Sequence, residues 1–147
     1  MRAVVQRVSE ARVTVDGVLT GAIGRGLCVL LGVGHADTEA DADALCRKIV
    51  GLRVFDDDAG RFAYALDEVK GELLVVSQFT LYADCRKGRR PSLTDAAAPE
   101  RAEALYERFL AHAREHVASV ASGRFGARMA VALVNDGPVT LLLESAA

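Results

Sequence analysis

The sequence predicts an α+β fold in a single domain of residues 1–147, with a mostly antiparallel sheet or small β-barrel and two packed helices. Strand-like segments occupy the beginning, the middle and the end of the chain, and two segments with helical spacing of apolar residues separate them. A chain of 147 residues is the size of one domain. No repeat, linker or low-complexity segment divides it.

The first third of the chain predicts strands. Apolar and polar residues alternate up to Val15, and Asp16-Gly17 is a two-residue hairpin signal, after which residues 18–23 would return. The apolar run Leu27 to Val33 is typical of a buried central strand. A hairpin followed by a core strand is therefore expected.

Two segments are predicted as helices. Thr38 can cap the first, with Asp41 at the capping-box position, and this helix would run to about Leu52. Pro99 suits the first turn of the second helix. The predicted core face of the second helix consists of Ala102, Leu105, Tyr106, Phe109, Ala113 and Val117.

Four further strands complete the predicted sheet. They are Arg53 to Phe55, Leu73 to Leu81, Met129 to Val134 and Val139 to Leu143. Ala83 to Ala98 is predicted to be a polar, basic loop. Asn135-Asp136-Gly137-Pro138 is predicted to be the turn that joins the last two strands.

Composition narrows the class of protein. The net charge is −2, so a nucleic acid would have to be held by a local basic patch. The three cysteines match no metal or redox motif, and idle thiols in a reducing compartment are the expected state. With no secretory signal and no apolar run long enough to span a bilayer, a cytoplasmic protein without membrane contact is predicted.

Two short patterns resemble known sites only in part. His112, Glu115 and His116 match H-x-x-E-H, but Glu115 is expected to point roughly 80 to 100° from the histidines and away from the core, which favours a solvated helix flank over a zinc site. Gly32-Val33-Gly34 follows a strand and precedes a helix, but the acidic residues that begin that helix are unsuited to a nucleotide phosphate. No metal and no cofactor is predicted.

Two loop-proximal segments carry side chains suited to chemistry or to phosphate. A basic segment has four cations in five residues, suited to phosphate or simply solvated, namely Arg86, Lys87, Arg89 and Arg90. Just before it, Ser77 to Tyr82 closes an apolar strand at a position where chemistry is common, although a purely structural role stays open.

A third segment, Asn135 to Thr140, contains Gly137-Pro138 between two apolar stretches. Proline cannot donate to a sheet ladder, so this residue belongs at a strand edge or start. An ordinary hairpin loop is the alternative to a functional role.

Together these segments resemble the D-aminoacyl-tRNA deacylase family. The motif Ser77-Gln78-Phe79-Thr80-Leu81 and the motif Asn135-Asp136-Gly137-Pro138-Val139-Thr140 look like its signature pair. The opening residues 1–8, the basic segment and Gly123 to Ala127 resemble the family in the same order. The likeness therefore covers nearly the whole chain.

The resemblance implies a homodimer with active sites at the subunit interface. The Gly137-Pro138 bond would be cis, and its loop would enter the partner's pocket, completed there by Ser77 to Thr80. Arg7 matches the position that holds this loop. The basic segment would meet the acceptor end of tRNA.

The implied reaction is hydrolysis of the ester of D-aminoacyl-tRNA and of mischarged glycyl-tRNA. Backbone N–H groups at Phe79 and Thr80 could stabilise the oxyanion, while Ser77 and Gln78 position the substrate. The 2′-hydroxyl of the terminal adenosine would assist the attacking water. A covalent acyl-enzyme on Thr80 is the less favoured alternative, since the sequence offers no adjacent base.

Selectivity is expected to come from excluding L-residues with the backbone of Gly137 and Pro138, next to Val139 and Thr140. Two other classes stay open at this point. One is a tRNA-binding module without chemistry that uses only the basic segment, and the other is a metallohydrolase built on His112 and His116.

Overall fold

The structure, a computed structural model that describes residues 1–145, contains eight strands and two α-helices within that range. The strands are β1 (Arg2–Val15), β2 (Val18–Ile23), β3 (Gly26–Gly32), β4 (Phe55–Asp56), β5 (Phe62–Tyr64), β6 (Glu72–Ser77), β7 (Val120–Ser122) and β8 (Ala130–Glu144). The helices are α1 (Glu39–Val50) and α2 (Pro99–His116), and a 3-10 turn covers Phe79–Tyr82.

The long strand β1 organises the main sheet. Its first half pairs with β3 and its second half with β2, while β8 runs along its other edge, all antiparallel. β3, β6 and β7 continue the sheet as parallel neighbours, and β4 pairs with β5 as a separate ribbon. The expected α+β class with a mostly antiparallel sheet is confirmed.

The sheet curls until its two ends nearly meet. Gly21 on β2 lies so close to β7 that a Cβ there would be 2.5 Å from the carbonyl oxygen of Ser122. The nearly closed barrel has an apolar interior that includes Val8, Ala11, Val13, Ile23, Cys28, Leu74 and Val76. The barrel-like expectation is therefore also confirmed.

Both helices pack on one face of this sheet. The residues predicted as the core face of α2 are all buried, and the Tyr106 hydroxyl donates to the carbonyl of Val75 at 2.8 Å. In α1, Asp41 accepts hydrogen bonds from the backbone N–H and the hydroxyl of Thr38, at 2.8 and 3.1 Å. Among residues 1–145, no helix is long and apolar enough to cross a membrane.

The strand predicted from Leu73 to Leu81 is wrong at its end. β6 stops at Ser77, and the next N–H, that of Gln78, donates to the carbonyl of Leu31 at 2.8 Å. The chain then turns away into the 3-10 conformation. The apolar residues Phe79 and Leu81 that suggested a longer strand belong to this turn.

The two C-terminal strands predicted around Asn135 to Pro138 are one strand. In β8, Thr140 pairs with Gln6 and Asn135 pairs with Val8, so four residues stand opposite a single residue of β1. Residues 136–139 therefore bulge from the strand, and the chain does not reverse. The predicted hairpin turn is wrong because both flanking segments find the same partner strand.

The prediction of a strand at Arg53 to Phe55 also needs correction. The strand there is only Phe55–Asp56, paired with β5. Residues 53 and 54 lead into it and lie outside any strand.

Candidate active site

The first motif forms a backbone arrangement suited to binding an oxygen anion. In the 3-10 turn the N–H of Leu81 donates to the carbonyl of Gln78 at 3.2 Å. The N–H groups of Phe79 and Thr80 precede this first bond of the turn, so they have no acceptor within it. Both residues are exposed, and the Gln78 side-chain amide donates to the Thr80 hydroxyl at 2.5 Å.

Close backbone packing holds this turn in place. A Cβ on Gly32 would lie 3.0 Å from the carbonyl oxygen of Gln78, and one on Gly34 would lie 2.7 Å from a ring carbon of Tyr82. The two glycines thus let β3 approach the turn, which gives them a packing role rather than a nucleotide-binding one. Burial raises the pKa of Tyr82 to about 12, so its hydroxyl stays neutral at physiological pH.

A cavity of about 570 Å³ opens beside Ser77, Gln78 and Phe79. These three residues form one wall, at the carboxyl end of β6. The remaining lining is largely apolar and includes Val33, Leu93, Ala97, Pro99, Phe125 and Met129. A pocket of this size with polar groups on a single wall can hold a small organic group next to the backbone donors.

The second motif is the bulge of β8, and Arg7 fastens it to the rest of the fold. The Arg7 side chain is nearly buried, and its Nε donates to the carbonyl of Asp136 at 3.0 Å. Its Nη1 donates to the carbonyl of Val54 at 2.7 Å and to the Asp56 carboxylate at 3.1 Å. Arg7 therefore ties the bulge to the β4–β5 ribbon.

Asn135 closes the base of the bulge. Its side chain accepts a hydrogen bond from the N–H of Val139 at 3.0 Å and donates to the Thr140 hydroxyl at 2.8 Å. The Gly137-Pro138 peptide bond is cis, and Gly137 has φ +134°, in the region that favours glycine. A Cβ on Gly137 would lie 2.9 Å from the Arg7 guanidinium.

Sequence reasoning did not assign roles to Asn135 or to Asp56. The signal for Asn135 was present, since asparagine commonly bonds the backbone of a turn near itself in sequence. Asp56 could not be found this way, because its contact with Arg7 spans 49 positions of the chain.

The two motifs do not meet within one chain. Ser77 lies opposite Leu31 at the end of β6, whereas the bulge projects near Arg7 on the far side of β1. The strand order β8-β1-β3-β6 separates them by three strand spacings, about 14 Å along the sheet. The cavity beside Ser77 is accordingly lined by neither Gly137 nor Pro138.

A family model described as D-Tyr-tRNA(Tyr) deacylase matches residues 4–144. The chain belongs to this deacylase family. Proteins named D-aminoacyl-tRNA deacylase from Roseiflexus castenholzii and Thermotoga petrophila are 62% and 57% identical to it. Each alignment covers 99% of this chain, with 93% and 97% of the respective relative. The chain is accordingly an enzyme of the hydrolase class.

Solved structures carry the same deacylase fold. A protein named c-Myc DNA unwinding element binding protein matches with a TM-score of 0.93 and 45% identity over 100% of both chains. A structure described as a probable eukaryotic D-amino acid tRNA deacylase matches with a TM-score of 0.85 over 97% of this chain and 98% of its own. At 19% identity, this second likeness bears on the fold alone.

The cysteine thiols of this deacylase are poor nucleophiles where they are buried. Burial raises the pKa of Cys28 to about 11 and that of Cys46 to about 12, so both stay protonated. Cys85 is exposed beside the basic segment, and all three cysteines are free.

The four cations of the basic segment differ in what they contact. Arg86 forms a two-pronged pair with Asp84, at 2.9 and 2.7 Å, and this pair lowers the pKa of Asp84. Lys87, Arg89 and Arg90 are exposed and have no ion pair within residues 1–145. The N–H of Asp84 donates to the carbonyl of Ser92, and the N–H of Ser92 donates to the carbonyl of Asp84. These two hydrogen bonds close the segment into a loop.

Glu115 is exposed, in agreement with the expected direction away from the core, but its carboxylate still lies near the histidines. Its carboxylate lies 3.9 Å from Nδ1 of His112, and the rings of His112 and His116 are 4.9 Å apart. A glutamate side chain is long enough to bend back over one helical turn.

Proposed function

We propose that this deacylase hydrolyses the ester bond of D-aminoacyl-tRNA to release the amino acid and tRNA. The observation that carries the proposal is the backbone N–H of Phe79, a residue that lines the 570 Å³ cavity, with the N–H of Thr80 next to it in the same turn. Ester hydrolysis passes through an oxyanion, and two fixed backbone donors are an effective way to stabilise it. The reaction belongs in the cytoplasm, where charged tRNA is used.

The water attacks the ester without a side-chain nucleophile in this proposal. The Thr80 hydroxyl accepts a hydrogen bond from the Gln78 amide, and among the described residues it has no hydrogen bond with a basic side chain. Ser77 and Gln78 fix the strand end and the substrate. The 2′-hydroxyl of the terminal adenosine assists the water, which keeps part of the catalytic machinery on the substrate.

Two copies of the chain complete each site in this proposal. The 14 Å separation of the two motifs along one sheet supports it, because a second chain can bring its own bulge to the cavity. β8 is an edge strand among the described residues, and it exposes Val134 and Leu142. Exposed apolar side chains on an unpaired edge favour association, and symmetric pairs are the commonest outcome.

Selectivity in this proposal comes from the backbone of Gly137 and Pro138. Their carbonyl oxygens would accept hydrogen bonds from the ammonium group of the substrate and leave room only for hydrogen on one side of its α-carbon. D-residues and glycine present hydrogen there, while L-residues present a carbon. The fastening of the bulge by Arg7 and Asn135 supports this role, because a steric filter has to be rigid.

The deciding experiment is a turnover assay on matched D- and L-tyrosyl-tRNA, extended to glycyl-, D-alanyl- and L-alanyl-tRNA. Release of the D-residues and of glycine is expected, with almost none of L-alanine. Efficient release of L-alanine would overturn the filter, since a methyl group is the smallest side chain it has to reject. No release of any D-residue would leave only a tRNA-binding module.

Complementation between subunits tests the shared site. Phe79→Pro removes a donor from one wall, and Arg7→Lys loosens the bulge, so each homodimer should be slow. Random mixing of the two should restore about a quarter of wild-type activity, because half of the dimers would carry one intact site. Absence of any recovery, despite verified subunit exchange, would contradict sites shared between chains.

A DNA-binding function, suggested by the name of one structural relative, has weaker support. The net charge of −2 gives no overall attraction to a duplex. Lys87, Arg89 and Arg90, which have no ion pair among the described residues, form a small patch suited to a few phosphates of an acceptor end.

A further inference from the structure

The last turn of α2 gathers three groups that the deacylase site does not use. His112, Glu115 and His116 place one ligand atom each within 4.8 Å of one another. Two histidines four residues apart share a helix face, so their proximity follows directly from helical geometry. The group lies on the flank of α2, beside its apolar core face.

The surroundings of His112 are unusual for a surface histidine. Its side chain is only 16% exposed, and its Nε2 is buried without a hydrogen-bond partner among the described residues. Nδ1 is on the other side of the ring and lies 3.9 Å from the Glu115 carboxylate, so it is the nitrogen that can share an ion with Glu115.

Two carboxylates lie close to Nδ1 of His112. Asp43 on α1 is 3.8 Å from it, and the same carboxylate is paired with Arg108. Glu115 adds a second carboxylate. The group also sits at the carboxyl end of α2, where the helix dipole stabilises positive charge.

We propose that His112, Glu115 and His116 form a binding site for a divalent transition-metal ion of the zinc type, separate from the deacylase centre. Two imidazoles and one carboxylate suit Zn²⁺, whereas Mg²⁺ and Ca²⁺ prefer oxygen ligands alone. Asp43 lies outside this ligand set and adds negative charge beside it.

The geometry needs only small movements to close around an ion. Ligand atoms at about 2.0–2.2 Å from one Zn²⁺ lie a little over 3 Å apart, somewhat closer than the distances here. Glu115 and His116 are exposed, so their side chains can rotate inward without disturbing the core. Three protein ligands leave the fourth position of a tetrahedral ion open to water or to a group from another molecule.

The test is titration of tag-free protein with Zn²⁺ by calorimetry and with Co²⁺ by visible absorption. One equivalent per chain is expected, with the absorption of a four-coordinate Co²⁺ ion that Zn²⁺ displaces. His116→Ala and His112→Ala should each weaken binding by more than about tenfold, the lower end of what loss of an outer-shell partner costs. Asp43→Asn should weaken it by less, because Asp43 contributes charge beside the site and is not a ligand.

Matched controls separate this site from general metal binding. His35→Ala removes the third histidine of the chain, and Glu103→Gln removes another exposed carboxylate of α2, so neither should change the titration. Thermal unfolding supplies a second readout, since Zn²⁺ should raise the melting temperature of wild type but not of His116→Ala. Binding that is equal in wild type and His116→Ala, or absent from wild type, overturns the proposal.

Discussion

The two halves of the candidate active site are built in different ways. The turn at Phe79–Tyr82 is held by backbone groups of β3 and by two glycines that allow it to come close. The bulge at residues 136–139 is held by side chains, chiefly those of Arg7 and Asn135. A backbone arrangement resists side-chain substitution, whereas one held by side chains can be released by a single change.

This difference matches the task proposed for each half. Oxyanion stabilisation needs donors fixed to a fraction of an ångström, and the end of a core strand provides that. A filter at the α-carbon also has to be rigid, but it must project from the sheet toward a second chain. A bulge can do so only if long side chains anchor it back to the fold.

The largest effect is expected from removing a backbone donor of the turn. Phe79→Pro deletes one N–H at the first position of the turn, where proline is tolerated, and the preceding Gln78, at φ −140° and ψ 80°, lies outside the helical region that proline disfavours. Its rate should fall about 10²- to 10³-fold below that of Phe79→Ala, which lacks the same ring but keeps the donor. Single-turnover deacylation of D-tyrosyl-tRNA measures this.

Thr80→Ala is the companion variant and should stay within about tenfold of wild type, because only its N–H is used. If Phe79→Pro and Phe79→Ala proved equally active, the donor role would be lost. Trapping a threonyl ester on Thr80 would establish covalent catalysis in its place.

Arg7 is the next test, since the bulge depends on it. Arg7→Ala leaves the carbonyls of Val54 and Asp136 without their buried donor, which should cost about 2–4 kcal/mol of unfolding free energy. Urea denaturation followed by circular dichroism measures the loss. Asp56→Asn, which keeps both carbonyl bonds and is partly exposed, is the matched control and should cost less than about 1 kcal/mol.

Arg7 variants also separate the two halves functionally. Arg7→Lys should raise the ratio of L-alanyl- to D-alanyl-tRNA hydrolysis, because a lysine cannot make all the bonds of the guanidinium fork. Equal discrimination in wild type and variant would show that the bulge needs no anchoring.

The sequence predicted features that depend on neighbouring residues better than features that depend on contacts between distant parts of the chain. The Asp16-Gly17 hairpin, the Thr38 cap and the apolar face of α2 are local patterns, and all three were predicted. The end of β6 at Ser77 and the continuity of β8 were not, because each is decided by pairing with a strand distant in sequence.

In the candidate active site, too, contacts between residues distant in sequence could not be predicted. Ser77 to Thr80 and Gly137-Pro138 stood out by resemblance to a family, while their chemistry could not be derived from spacing. The link from Asp56 through Arg7 to the bulge exists only in three dimensions.

A smaller effect on stability and rate is expected from substituting Gly34, which packs against Tyr82 of the turn. Gly34→Ala places a Cβ 2.7 Å from the Tyr82 ring, and such overpacking costs about 1–3 kcal/mol. The displaced ring should shift the turn and lower the deacylation rate. In a double-mutant cycle, Tyr82→Ala should make room for the new Cβ and recover part of the lost stability and part of the lost rate. If the effects of the two substitutions were additive, Gly34 would not act through Tyr82.

The smallest effect on deacylation is expected from the basic segment, because its side chains hold neither the turn nor the bulge in place. Lys87, Arg89 and Arg90 are exposed and without ion pairs in residues 1–145, so they are available for phosphate, whereas Arg86 is already paired with Asp84. Replacing any of the three by alanine should lower the salt dependence of tRNA binding by about 0.7–0.9 in slope, since fewer counterions are released. Filter binding between about 50 and 200 mM salt measures this slope.

Arg86→Ala is the matched control for that experiment, because the same charge is removed from the same loop. Its slope should change less, since binding phosphate would first require breaking the two bonds to Asp84 at 2.7 and 2.9 Å. The rate on bound substrate should be unchanged in all four variants, as none of these side chains lines the cavity. If Arg86→Ala changed the slope as much as Arg89→Ala, the pair with Asp84 would not hold in the complex. If no variant changed it, the loop would be solvated and tRNA would be held by another face of the deacylase.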